Sequence, residues 1–222
     1  MQTNSSDPFK LLLTTVAVAC LLVTSMAISG CSNTPPAVKM PPLDPDAIAS
    51  KALEEYDSDG NGELSKAELD GCPGIRDSIE LYDTDGNNAV SGDEIKARAE
   101  KWIADKGALL SFVCSVTLKG RALVGATVKL VPEDFMGGAI SPAEGVVEQT
   151  GSAIIAVAEE ALDPAQQGRR IKAVNVGVYK VEITHPNPKV KVPAKYNTET
   201  TLGIEIAGDN LKAMQETHFK LK

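Results

Sequence analysis

Aromatic rings are scarce in this sequence, with four Phe, four Tyr and one Trp in 222 residues. A surface that binds single-stranded nucleic acid stacks bases on such rings, and a net charge of −8 opposes phosphate as well. No nucleic-acid partner is expected. Histidine is nearly absent: His185 precedes a proline and His218 stands alone near the C-terminus. Neither has a neighbour in sequence that would make a general base of it. No Gly-x-Ser-x-Gly elbow, His-Glu-x-x-His helix or phosphate-cradling glycine loop occurs, so a non-enzymatic protein is expected. Basic residues are outnumbered, and unevenly. Residues 47–107 hold 15 Asp/Glu against 7 Lys/Arg, whereas residues 108–222 hold 12 against 13. Acid concentrated in one short stretch points to cation binding more than to general solubility.

Long uncharged runs are limited to one. Leu11 to Ile28 carries no charge over 18 residues and follows Lys10 and a short polar stretch. That length suits a marginal membrane span or the apolar core of a signal peptide. The next residues bear on the choice, because Ile28-Ser29-Gly30-Cys31 puts small residues ahead of a cysteine. Small side chains admit the backbone to a peptidase, and the thiol is a nucleophile for diacylglycerol attachment. These four residues resemble the bacterial lipobox. The resemblance implies a signal peptide over 1–30, lipidation at Cys31 and a lipid-anchored, extracytoplasmic place in the cell envelope; an uncleaved membrane anchor is the alternative. Residues 32–46 contain five prolines and little that packs, which predicts a semi-rigid tether over 31–46.

The acidic stretch has internal order. A hard dication takes six to eight oxygens, and a twelve-residue loop can wrap them round one point. Asp57-Ser58-Asp59-Gly60-Asn61-Gly62-Glu63-Leu64-Ser65-Lys66-Ala67-Glu68 places oxygens at positions 1, 3 and 5 (Asp57, Asp59, Asn61). Gly62 stands at the turn, Glu63 offers a backbone carbonyl, Ser65 a hydroxyl or water contact, and Glu68 a bidentate carboxylate. The pattern recurs 26 residues on with Asp83, Asp85, Asn87, the Ala89 carbonyl, Ser91 and Glu94. Here Asn88 replaces the turn glycine, and asparagine tolerates the left-handed conformation. Leu53 and Tyr56 precede the first loop at the spacing at which Ile79 and Tyr82 precede the second. Leu64 and Val90 share position 8, where a short β-bridge would join the loops. Ser65-x-x-Glu68 and Ser91-x-x-Glu94 also read as capping boxes. Both loops match the EF-hand motif, which implies Ca²⁺ as cofactor. Little chain separates them, so both inner helices should be short and a structural module fits better than an opening switch.

From Ser111 the period falls to two. Phe112, Cys114, Val116 and Leu118 alternate with Val113, Ser115, Thr117 and Lys119. Ala126, Val128 and Leu130 form a second such set, Tyr179, Val181 and Ile183 a third, and Leu202, Ile204 and Ile206 a fourth. A last strand ends on Phe219 and Leu221. Several strands with one buried face predict a β-sandwich. Val116-Thr117-Leu118-Lys119-Gly120-Arg121-Ala122-Leu123-Val124-Gly125-Ala126-Thr127-Val128 resembles the opening hairpin of carboxypeptidase-regulatory-like domains. Gly177–Ile183 and Val192–Leu202 resemble later parts of the same family. The resemblance implies a transthyretin-like sandwich without peptidase activity. Residues 159–175 depart from it as an inserted loop.

The expected architecture is therefore α+β and multidomain: a small helical EF-hand pair over 47–107, then an antiparallel transthyretin-like β-sandwich over 108–222. After loss of Cys20 and lipidation of Cys31, Cys72 and Cys114 form an even pair in an oxidising compartment, and a disulfide between them is expected. The function read from this is a calcium-binding envelope lipoprotein with a structural or adhesive role. Its partners would be the membrane, through the anchor, and an envelope protein or carbohydrate. A calcium-responsive regulator of a partner protein is the other reading.

Overall fold

Strict alternation of apolar and polar residues makes a strand with one wet and one dry face, and five such stretches are the backbone of this molecule. The computed structural model describes residues 38–215 and 217–222; Cys31, the lipobox and the first part of the expected tether lie outside the described residues. The strands are β1 (Glu63–Leu64), β2 (Val90–Ser91), β3 (Leu109–Leu110), β4 (Phe112–Leu118), β5 (Arg121–Ala122) and β6 (Thr127–Pro132). They continue with β7 (Ala143–Val146), β8 (Ser152–Val157), β9 (Val174–Asn175), β10 (Gly177–Thr184), β11 (Gly203–Ile206) and β12 (Thr217–Leu221). Four α-helices accompany them among the described residues: α1 (Pro45–Tyr56), α2 (Pro73–Arg76), α3 (Gly92–Ala104) and α4 (Leu211–Gln215). The fold is thus mixed helix and sheet. No helix among the described residues is long and apolar enough to cross a membrane.

Eight strands form one curled sheet in the order β11-β10-β6-β7-β8-β4-β12, with the short β5 paired to β4. All neighbours are antiparallel except β4 and β12, which run parallel. The curl encloses the inner face, where Phe112, Val116, Val128, Leu130, Ile155, Val181, Ile183, Ile206 and Leu221 are buried. It also brings the two sheet edges near each other, since Gly203 and Ile204 of β11 and Thr217 to Lys220 of β12 line one hollow of about 320 Å³. The alternating stretches read from the sequence form β4, β6, β10, β11 and β12. Strands β7 and β8 were not among them, because Ala143, Gly145, Ala153 and Ala156 give little apolar contrast to read. In the 159–175 stretch a 3₁₀ turn at Glu159–Ala161 leads to β9, which pairs with β3.

The acidic segment packs on the outer face of the sheet, over β10 and β11. Helix α1 begins at Pro45, a residue well suited to the first helical turn, with the Asp44 carboxylate accepting from the Ala47 N–H. Met40 and Leu43, expected in the tether, already pack against the core. Helix α2 comes so close to the sheet that a Cβ added at Gly203 would lie 2.3 Å from the Gly74 nitrogen. The buried apolar residues from Ile48 to Leu221 form a single cluster. The stretches 47–107 and 108–222 therefore share one core.

The disulfide expected between Cys72 and Cys114 is not formed: both thiols are free and buried. The alternation of β4 turns Cys114 to the inner face, whereas Cys72 sits in the loop module on the outer face, its Sγ 3.8 Å from Glu133 Oε1. The sheet stands between them. Burial pushes the Cys114 thiol up to about 12 and the Cys72 thiol higher still, so neither supplies the thiolate that disulfide exchange needs.

Candidate metal centre

Each acidic loop is organised from its first residue outward. Asp57 Oδ1 accepts from the N–H groups of Gly60 and Asn61 at 2.8 and 3.2 Å, and Oδ2 from that of Gly62 at 2.9 Å. Asn61 Oδ1 accepts from the Glu63 N–H at 2.8 Å. The second loop repeats these bonds from Asp83 to Gly86, Asn87 and Asn88, and from Asn87 to Ala89. Both turn positions are left-handed, Gly62 at φ 87° and Asn88 at φ 65°. The asparagine thus adopts the conformation that its position requires.

The position-12 glutamates reach back across their loops. Glu68 Oε2 accepts from the Ser65 N–H and hydroxyl at 2.9 and 2.8 Å, and Oε1 from the N–H and hydroxyl of Ser58, both at 2.8 Å. These bonds, those of Ser65 first, hold the Glu68 carboxyl down at about 2. Glu94 is held in the same way by Ser91 and Thr84. Partial burial pulls its carboxyl up, but the hydrogen bonds outweigh this and keep it below the ordinary range. Ser58 and Thr84 were not singled out in the sequence. Their signal was there, a hydroxyl residue at position 2 of each loop.

Among the described residues, two groups bring metal-ligating atoms within 4.8 Å of one another: Asp57, Asp59 and Glu68, and Asp83, Asp85 and Glu94. All these donors are carboxylate oxygens, with the Asn61 and Asn87 amide oxygens and the Glu63 and Ala89 carbonyls in the same loops. Hard oxygens in that number suit a hard cation such as Ca²⁺ and not a thiophilic metal. The loops are joined by the β1–β2 ladder, in which Leu64 faces Val90 and Glu63 faces Ser91. Both apolar residues are fully buried. The flanking helices are unequal. The first loop is entered from α1 and left through a 3₁₀ turn at Glu68–Gly71, and the second is entered through a 3₁₀ turn at Ile79–Leu81 and left by α3. Of the two short inner helices expected, the first is the 3₁₀ turn at Glu68–Gly71 and the second is split between α2 and the turn at Ile79–Leu81.

The two loops are fastened to the sheet alike, through the tyrosines read in the sequence and two buried glutamates that sequence reading did not find. A tyrosine stands one residue before each loop. The Tyr56 hydroxyl donates to Glu133 Oε2 at 2.8 Å, and the Tyr82 hydroxyl to Glu205 Oε1 at 3.4 Å. Both glutamates are buried, and each has a cation: Lys180 Nζ is 3.0 Å from Glu133, and Arg98 Nε is 2.7 Å from Glu205. Trp102 Nε1 and Asn210 Nδ2 also donate to Glu205, while Arg98 grips Asp209 with two bonds of 2.8 Å. Burial raises both glutamates above the ordinary carboxylate range, with Lys180 and Arg98 opposing the shift. No buried side-chain N or O among the described residues lacks a partner. No protein-family model, curated protein or solved structure matches this chain.

Proposed function

We propose that this chain is a calcium-binding protein of the cell envelope, attached to a membrane through lipid on Cys31, with a structural or adhesive role and no catalysis. The calcium reading rests on one observation: two twelve-residue loops that each gather two aspartates and a glutamate within 4.8 Å and are bridged through Leu64 and Val90. On this reading the segment is a compressed EF-hand pair, in which each loop keeps one flanking α-helix and the other is reduced to a 3₁₀ turn. The sheet is the transthyretin-like partner on which it rests. Asp57, Asp59, Asn61, Glu63, Ser65 and Glu68 would hold one ion, and Asp83, Asp85, Asn87, Ala89, Ser91 and Glu94 the other. The ion would neutralise carboxylates that otherwise repel each other, and so stabilise the loops by mass action.

A structural rather than a switching role is supported by the anchorage. Opening an EF-hand needs its helices to swing, and here Arg98 and Trp102 of α3 are tied to Glu205 while Tyr56 of α1 is tied to Glu133. Affinity should lie in the range of extracellular modules, on the order of 10⁻⁴ to 10⁻³ M. Titration calorimetry should find two calcium ions per chain, with Glu68→Ala losing one and Glu94→Ala the other. If both variants take up calcium as the unaltered chain does, the proposal is wrong.

A further inference from the structure

The loop module covers the outer face of the sheet over β10 and β11, and leaves it open over β7, β8, β4 and β12. Of the six large apolar side chains exposed among the described residues, three stand together on this open part. Val113 and Ile154 are cross-strand partners, 45% and 50% exposed. The β7–β8 register pairs Ala143 with Val157 and Glu144 with Ala156. Carried on by two residues, it sets Val146 beside Ile154, and Val146 is 55% exposed. The three make an aliphatic row across β4, β8 and β7 with Ile154 at its centre. Val and Ile are stiff at their first torsion, so burying them forfeits little rotamer freedom.

The charges round this row are sorted by side. Glu144 and Glu148 flank Val146 along the chain, and Lys129 of β6 stands between Glu144 and Glu182 of β10. That side holds three carboxylates against one ammonium. On the other side, beyond Val113, β12 sets Lys220 beside Thr117. Lys119 follows β4 and lines a hollow together with Lys220 and His218. Glu144, Glu148, Lys119 and Lys220 are all exposed, and none forms an ion pair among the described residues. A surface of one sign, such as an anionic bilayer, would be repelled on one side of the row. A surface with the same two sides in reverse order satisfies both, and a second copy of this face, turned over, is such a surface.

We propose that this face is the interface of a homodimer, two copies packing sheet on sheet through Val113, Ile154 and Val146. A surface that meets its own copy does so about a two-fold axis. With that axis lying in the interface along β8, Ile154 meets its counterpart and Val113 meets Val146 of the second copy. The same half-turn lays the lysine side of each copy over the glutamate side of the other. Stacked sheets lie about 10 Å apart, a spacing that aliphatic side chains from two faces fill. Four strands about 4.8 Å apart make a patch roughly 19 Å wide. That is small for a permanent interface, so the dimer should be reversible. The inference rests on neither the calcium reading nor the anchor.

Sedimentation equilibrium of the full chain in a density-matched neutral detergent tests it. The unaltered chain should show a monomer–dimer equilibrium, and Ile154→Asp, at a half-exposed position that the fold does not need, should abolish it. Glu144→Lys plus Glu148→Lys puts lysines on both sides of the row, and Lys119→Glu plus Lys220→Glu puts glutamates on both. Each double variant should weaken self-association about tenfold or more. Mixed in equal amounts the two are complementary, and association should return to that of the unaltered chain. A chain that stays monomeric up to about 10⁻⁴ M overturns the proposal and means that a bilayer or another protein takes the row. Dimers that survive Ile154→Asp are held elsewhere, as through the uncharged run at residues 11–28, and overturn it too. So does a mixture that associates no better than its two components, since the crossed arrangement of charges is then wrong.

Discussion

At the scale of single residues, the group on which most depends is Arg98. Its side chain is almost wholly buried and spends its hydrogen bonds on Glu205 and Asp209. A buried guanidinium that loses a partner keeps the cost of desolvation without the compensating attraction. Asp209 is partly exposed, and its hydrogen bonds with Arg98 hold its carboxyl below the ordinary range. A carboxylate held low in the folded state stabilises the fold above its unfolded pKa, and the contribution fades as pH falls through the folded value. Asp209→Asn should therefore lower stability at neutral pH by about 1–3 kcal/mol. That gap should narrow as pH falls past the ordinary Asp value near 3.9. Denaturant unfolding at neutral and acid pH checks this, and a gap independent of pH would refute it. None of this could be read in the sequence. Glu205 falls on the outward beat of its strand and Glu133 just past the end of β6, positions that predict solvent. They are buried because the loop module docks on the outward face, and nothing in a period of two announces what will cover it.

Among elements, the close approach of α2 to β11 sets how the module sits. Gly74 and Gly203 meet backbone to backbone; a Cβ on Gly74 would come within 2.5 Å of Val178 Cγ1, and one on Gly203 within 2.7 Å of the Pro73 carbonyl carbon. A flexible side chain can give way, but two backbones cannot. Gly203→Ala should destabilise by about 1–3 kcal/mol, the range for an overpacked site. Gly208→Ala, where nothing lies within 4 Å, should change little. Thermal unfolding of the two variants gives the comparison, and equal effects would mean that the contact is unimportant. The elements legible in the sequence were those with strong contrast. Phe112, Val116 and the Tyr179–Ile183 set stand out against polar neighbours, and the loops stand out by a motif whose every position has a chemical duty. Of the elements that were missed, β7 has only Ala143 and Gly145 on its inner face, β8 sets Ile154 beside Ile155 so that both faces read apolar, and the inner helices are broken around Gly71, Pro73 and Gly74.

Over the whole molecule, one hydrophobic cluster runs from Ile48 in α1 to Leu221 in β12. The two buried thiols sit in different parts of it, Cys72 on the loop side and Cys114 inside the curl. If the cluster behaves as one cooperative unit, both should become reactive at the same denaturant concentration. Pulsed alkylation followed by peptide mass spectrometry measures each separately, and Cys72 reacting well before Cys114 would show that the module comes away first. The parallel pairing of β12 with β4 has a further consequence, one of timing. Thr217 pairs with Cys114 across more than a hundred residues of chain. Contacts of such separation form slowly, after the intervening loop has been closed. During synthesis β4 emerges at the midpoint of the chain and must wait for the last strand of the sheet. Until Thr217–Leu221 is released, one side of β4 has no neighbour, and the chain stays incompletely folded for nearly the whole of its production. On the envelope reading proposed above, that delay would keep the sheet from closing before the leading end of the chain had been handed over for export.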